Sequence, residues 1–364
     1  MMENLRALLS ENAAVSLAFG GLVIGVFLGL VVQRTNFCAM GGISDMLTFG
    51  DARRFRAWIL STAVAIAGAQ ALAAAGAVDL AKSMYMAPTL DWAGAVIGGL
   101  MFGFGMCFAG GCASRNLVRA GSGDLRALFV VILMGIAAYA AIGGLVGPLR
   151  AELSSATALR LDGLGLSDQG LGALLGKALQ LAPARASALV AAVFALALAG
   201  YCFADARFRA SPVHIASGVL VGLAVVAGWA LTGLAADEMA ATATAPVSLT
   251  FVRPSGDTLE WIQRFTAQRI PTFGVATVFG VLIGAALGAV SSGRFRLATF
   301  NDASDTLRNI FGALLMGVGG VVALGCTIGQ AITGMSTLAA GSLIAAAAII
   351  VGGIAGIKTL ERMA

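Results

Sequence analysis

Between Val15 and Ile357 the sequence passes through successive apolar stretches of roughly 17–24 residues, and its charged side chains fall almost wholly between them. A stretch of that length, wound at about 1.5 Å per residue, matches a hydrocarbon layer about 30 Å thick. The chain is 59% hydrophobic and 11% charged, whereas soluble domains carry about 25% charged residues. Such a surface belongs in lipid. There every backbone polar group must find an internal partner, and the runs lack the strict alternation of a membrane-spanning strand, so helices are expected. The predicted fold is an all-α polytopic membrane protein with about nine spans, near 15–32, 57–77, 93–112, 127–147, 186–203, 212–235, 273–290, 309–326 and 338–357. The 49 glycines suit close helix–helix approach, which small residues permit where lipid removes the hydrophobic drive for association.

Basic residues set the orientation. With the N-terminus outside, the inner side receives 14 of the 23 lysines and arginines and 7 of the 18 acidic residues. That leaves +7 inside and −2 outside, in accord with the +5 of the whole chain. The positive-inside rule therefore predicts N-out, C-in. Membrane orientation accounts for the basic charge without nucleic acid. Two polar stretches, 148–185 and 236–272, are expected outside as loops, short surface helices or caps. No cleavable leader is evident, so the first apolar run is read as a retained span.

The motif Gly103-Phe-Gly105-Met-Cys-Phe-Ala109-Gly-Gly111-Cys112 recurs as Gly317-Val-Gly319-Gly-Val-Val-Ala323-Leu-Gly325-Cys326, at a constant offset of 214. In the predicted topology the two copies run in opposite directions, the signature of an inverted repeat with a solute site at broken helices near the midplane. The expected division is a first half, 1–203, with outer loop 148–185, and a second half, 204–364, with outer loop 236–272. If both segments were unbroken, Cys112 and Cys326 would sit on opposite faces. Breaks at Gly110, Gly111 and Gly325 would let them converge, since glycine accepts backbone angles that other residues avoid. A weaker match pairs Gly25-x-x-x-Gly29 with Gly284-x-x-x-Gly288.

Three stretches carry a resemblance. They are Gln33-Arg-Thr-Asn-Phe-Cys38 through Asp45, Gly103 through Cys112 to Arg119, and Gly317 through Cys326 to Gln330. In order and spacing they resemble the YeeE/YedE membrane proteins, which include bacterial thiosulfate uptake transporters. The resemblance implies an hourglass of inverted halves in the bacterial inner membrane, with three cysteines at a narrow waist. These carry over to Cys38, Cys112 and Cys326. It also implies a small cytosolic sulfur-carrier protein as partner. Cys107 and Cys202 match nothing in the pattern, and some relatives have glycine where this chain has Arg115.

Thiols suit such a solute. A thiosulfate dianion crossing an apolar waist needs a substitute for water. A neutral S–H is a weak, polarizable donor, and weak sequential contacts let an ion both enter and leave. Arg34, Arg115, Arg119, Arg294 and Arg296 stand where they could attract the anion on the inner side. Three rivals remain at this point: another sulfur or selenium oxyanion as substrate, a membrane thiol oxidoreductase, and a soft-metal transporter. No Cys-x-x-Cys, clustered metal-ligand set or nucleotide-binding loop appears, so no enzyme activity, metal or cofactor is expected.

Overall fold

The computed structural model describes Arg6, Leu9 and residues 11–180, 182–236, 245–300 and 302–363. The protein is a multi-pass, all-α membrane protein. Its helices are α1 Ala13–Thr35, α2 Ala39–Phe49, α3 Arg53–Ala74, α4 Trp92–Phe108, α5 Ala113–Gly121, α6 Leu125–Ile142, α7 Gly147–Thr157, α8 Leu171–Leu179, α9 Pro183–Phe203, α10 Ala206–Arg209, α11 Pro212–Leu234, α12 Val252–Gln263, α13 Phe273–Ser291, α14 Ala303–Val322 and α15 Ala340–Met363. A wide π-type turn spans Gly329–Gly334. Two two-residue strands, β1 Thr89–Leu90 and β2 Leu159–Arg160, pair antiparallel.

Among the described residues, eight segments are long and apolar enough to cross a membrane. The ninth expected span, 309–326, differs. Its helix α14 starts six residues earlier and carries Asp305 and Arg308 in its first two turns, so its opening is amphipathic. A second correction concerns 236–272. Residues 237–244 lie outside the described residues, but 252–263 form α12, with Val252, Pro254, Ser255, Gly256 and Thr258 buried. Its charged residues mask a helix that packs into the bundle between α6, α13 and α14.

Helix crossings are set by glycine. At the crossing of α4 and α14, a Cβ on Gly98 would lie 2.7 Å from Gly319 O, and one on Gly312 would lie 2.6 Å from Gly105 O. Because Gly312 and Gly319 are Gly98 and Gly105 displaced by 214, each helix meets the other through its own equivalent atoms. The same holds one layer out. Gly103 sits against Gly353 of α15, and Gly317 against Ala138 of α6.

The packing pattern repeats when α1 to α6 are matched in order with α11, α12, α13, α14, the π-type turn and α15. Thus α1 packs on α13 as α11 packs on α3, and α6 on α14 as α15 on α4. The segment α7 to α10 falls between the two sets. This pattern matches α1 with α11 rather than with α13. The Gly25/Gly29 and Gly284/Gly288 motifs are therefore not copies of one element. Gly25 and Gly29 face Thr277, Val281 and Ala285 of α13, and Gly280 and Gly284 face Leu22, Gly25 and Val26 of α1. Their likeness reflects one shared crossing.

Candidate functional site: three buried thiols at helix breaks

Each of the three motif cysteines stands where one helix has stopped and a short one begins. The left-handed residue Asn36 (φ 54°) ends α1, and Cys38 caps α2, its Sγ accepting from Gly41 N at 3.4 Å. Gly110 (φ 69°) and Gly111 (φ 152°) break the chain after α4, and Cys112 caps α5. In the second copy the left-handed residue is Leu324 (φ 59°), not Gly325. Gly325 instead allows the chain to fold closely over Gln330. The Cys326 Sγ accepts from Gly329 N at 3.3 Å. All three thiols are thus at helix starts, where backbone N–H groups lack intrahelical partners and the dipole is positive.

The breaks bring the thiols together. Cys38 faces Cys112, Cys112 faces Thr327, and Phe251 N lies against Cys326. Phe251 opens α12, the counterpart of α2 in the second set, so a fourth helix start joins the cluster. The thiols are 5%, 2% and 0% exposed. The Cys112 Sγ also lies 3.4 Å from Ser114 Oγ. Thr327 Oγ1 is buried facing the Cys112 thiol, and, a few residues on, the buried Gln330 Oε1 lacks a hydrogen-bond partner among the described residues. Buried polar atoms are nearly always satisfied, so each open valence calls for an explanation.

Irregular backbone is tolerated at membrane depth only where protein supplies its hydrogen bonds. Here the surrounding helices do so. Trp58 Nε1 donates to Thr327 O (3.4 Å), Thr62 Oγ1 to Ala331 O (2.9 Å) and Gln70 Nε2 to Ser336 O (3.0 Å). Trp229 Nε1 donates to Ser336 Oγ (2.9 Å), and Thr333 Oγ1 to Leu249 O (2.7 Å). In the first copy Asn116 Nδ2 donates to Gly111 O at 2.7 Å. Motif reading found the cysteines and glycines but missed these positions. Single polar residues on long helices carry no local pattern; only Asn116 and Gln330, again 214 apart, were signalled by the repeat.

Two cavities lie outside the cluster, and none of the five cysteines lines either. The larger, about 1320 Å³, is bounded by Gln70, Lys82, Lys177 and Thr337 among others. The smaller, about 250 Å³, is lined by Gln33, Asn36, Arg115, Arg119, Asp124, Arg294 and Arg296. Four of the five arginines singled out from sequence therefore meet in one place. Arg34 does not join them; its Nη2 donates to Ser291 Oγ at 2.8 Å, tying α1 to α13. Arg119 is committed to Asp124 at 2.7 Å. Burial pushes the Asp124 carboxyl up, but hydrogen bonds from Arg126 and Arg119 outweigh it, and the group sits below the usual carboxylate range. On a separate arginine-rich stretch, Asp51 to Arg56, the Asp51 carboxyl is lowered to about 2, chiefly by its hydrogen bonds from Arg53.

Cys107 and Cys202 lie apart from the cluster. Cys107 Sγ donates to Gly353 O (3.3 Å) and Cys202 Sγ to Arg56 O (3.2 Å), so both serve helix packing. The lone histidine pairs with Ser211 (Nδ1 to Oγ, 2.6 Å) at the start of α11.

Interrupted helices that place buried polar groups and open helix starts at a common centre define the class of polytopic transporters. The chain belongs to the family described as sulphur transport, whose model matches residues 34–355. It is 30% identical over 339 residues to the thiosulfate transporter TsuA of Spirochaeta thermophila, covering 91% of this chain and 96% of that protein. It is also 30% identical to the thiosulfate transporter TsuA of Escherichia coli, over 86% of each chain. A shorter likeness, 35% over 107 residues, links it to the probable transporter YedE of Salmonella typhimurium, covering 29% of this chain and 24% of that one.

Proposed function

We propose that this protein imports thiosulfate across the bacterial inner membrane, with Cys38, Cys112 and Cys326 forming the narrowest part of the path. The observation that carries the reading is the meeting of three thiols at open helix starts, beside the buried Thr327 hydroxyl. The full-length likeness to two proteins named as thiosulfate transporters supplies the substrate. The dianion trades water for weak S–H donors and the partial positive charge of the helix starts, and the Thr327 hydroxyl beside Cys112 adds a further donor. None of these contacts is strong alone, which suits release as well as capture. No bond to sulfur is made or broken, so the reading is transport and not thiol oxidoreduction.

We read the larger cavity as the outer vestibule and the arginine-lined cavity as the inner one, with the N-terminus outside and the C-terminus inside. The chain then divides into inverted halves at 1–203 and 204–364, with Gly110, Gly111 and Gly325 allowing the breaks that bring the halves' thiols together. Arg115, Arg119, Arg294 and Arg296 give the inner vestibule its positive potential, and Arg34 adds to it from the helix end. A small cytosolic sulfur-carrier protein consuming the product would pull uptake inward.

The test is uptake of labelled thiosulfate by cells lacking their own route, comparing the native chain with Cys112→Ala and Cys326→Ala at equal membrane expression. Uptake by the native chain, lost in either variant, is expected. Uptake unaffected by both substitutions refutes the thiol path, and no uptake by a well-expressed native chain shifts the substrate to another sulfur or selenium oxyanion.

A further inference from the structure

The arginine-lined cavity has a floor contributed by a distant stretch of chain. Residues 294–298, between α13 and α14, run as a strap beneath the end of α5. Arg296 N donates to Ser122 O (3.3 Å), Ala298 N to Gly123 O (3.1 Å) and Leu125 N to Ala298 O (2.9 Å). Gly123 has φ 101°, and a Cβ there would lie 2.5 Å from Arg296 O, so the strap sits flush on the turn. It brings Arg294 and Arg296 to the cavity that Arg115 enters from α5.

The charges in this cavity are unbalanced. Among the described residues Arg115, Arg294 and Arg296 have no acidic partner; Arg115 donates only to Asn36 Oδ1, at 3.1 Å. The one carboxylate in the lining among the described residues, Asp124, is already held by Arg119 (2.7 Å) and Arg126 (3.1 Å). A neutral group completes the set. The Gln33 amide lines the cavity, is 7% exposed, and its Oε1 has no hydrogen-bond partner among the described residues. The two ends of an amide are interchangeable by rotation, so Gln33 can turn its NH₂ to an anion. The cavity's 250 Å³ exceeds what one anion fills, since a water's share of liquid is about 30 Å³. A hydrated ion fits.

We propose that this cavity is a second anion site, one that holds a divalent tetrahedral oxyanion between Arg115 and the strap residues Arg294 and Arg296, with the Gln33 amide as buried donor. It selects by charge and geometry, not by sulfur, because guanidinium groups grip any oxyanion face and no thiol lines it. It rests on the proposed function only for its place at the inner end of the path. There it receives the anion leaving the thiols. Other divalent oxyanions on that side compete for it.

The test measures equilibrium binding of radiolabelled sulfate to the purified full chain in nanodiscs of zwitterionic lipid. Sulfate carries the charge and shape but lacks the terminal sulfur. Saturable one-to-one binding is expected in the native chain and in Cys112→Ala. The double variant Arg294→Gln/Arg296→Gln is expected to weaken it by at least about tenfold, through loss of charge-assisted hydrogen bonds. Arg294→Lys/Arg296→Lys keeps most of it, which separates lost charge from a damaged fold. The proposal is overturned by the absence of saturable binding to monodisperse native protein, by binding unchanged in the Gln double variant, or by binding lost in Cys112→Ala, which would place sulfate at the thiols. Displacement by phosphatidylglycerol in the disc would assign the arginines to a lipid headgroup and overturn it equally. Sulfate binding with this pattern alongside a failure of thiosulfate uptake supports the site and counts against the thiosulfate reading alone.

Discussion

Substituting Gly98 by alanine tests the crossing on which the site depends. The new methyl group would meet Gly319 O at 2.7 Å and Val322 C at 2.9 Å, and still closer Ala323 N. All three are backbone atoms, so no side chain can turn aside. Ordinary contact begins near 3.4 Å, and α14 must move by roughly 1 Å to clear the nearest of these atoms, a local overpacking that costs about 1–3 kcal/mol. Alanine returns up to about 1 kcal/mol of helix propensity, leaving a net loss of up to about 2 kcal/mol. Gly200→Ala supplies the comparison, because a Cβ there meets nothing within 4 Å and only the gain remains. The difference between the two variants in thermal unfolding of detergent-purified protein isolates the clash, at about 1–3 kcal/mol. Gly312→Ala, the equivalent atom on the partner helix, is expected to match Gly98→Ala. The double variant should cost less than the sum, since one displacement relieves both contacts. Transport should fall in all three, because α4 and α14 end four residues before Cys112 and Cys326. A Gly98→Ala protein as stable as Gly200→Ala would refute the close crossing, and with it the reciprocal packing of the two repeats.

Thr327→Val replaces a buried hydroxyl that faces the Cys112 thiol. Thermal stability should change by no more than about 1 kcal/mol, since at most one weak hydrogen bond is lost, while uptake falls; unchanged uptake would remove Thr327 from the path. Cys202→Ala loses only its bond to Arg56 O and should leave uptake intact, measured beside Cys112→Ala at equal expression. Asp124→Asn should lower the unfolding temperature at pH 7 and much less at pH 3. The Asp124 carboxyl is depressed in the folded state, so its contribution is present above the ordinary carboxylate value near about 4 and fades as pH falls toward the folded value. An equal deficit at both pH values would show that its ion pairs with Arg119 and Arg126 contribute nothing.

Much of the architecture was legible because a membrane leaves few choices. Once the apolar runs reached bilayer length, helices followed from the need to satisfy backbone groups internally. The offset of 214 between two Gly-Cys motifs then marked Cys112 and Cys326 before any coordinates. What the sequence alone could not disclose were the elements whose stability comes from neighbours. Helix α12 carries Arg253, Asp257 and Glu260 and reads as part of a polar outer stretch, a loop, short surface helix or cap. It is a helix because Val252, Ser255 and Gly256 fit between α6, α13 and α14. The resemblance of Gly25-x-x-x-Gly29 to Gly284-x-x-x-Gly288 suggested a repeat, but only the packing shows that the two motifs touch. The break at Leu324 and the strap that carries Arg294 and Arg296 to Arg115 were equally hidden. A left-handed residue or a cavity across 180 positions is set by long-range contacts, whereas hydropathy, charge bias and motif spacing are properties of the chain itself.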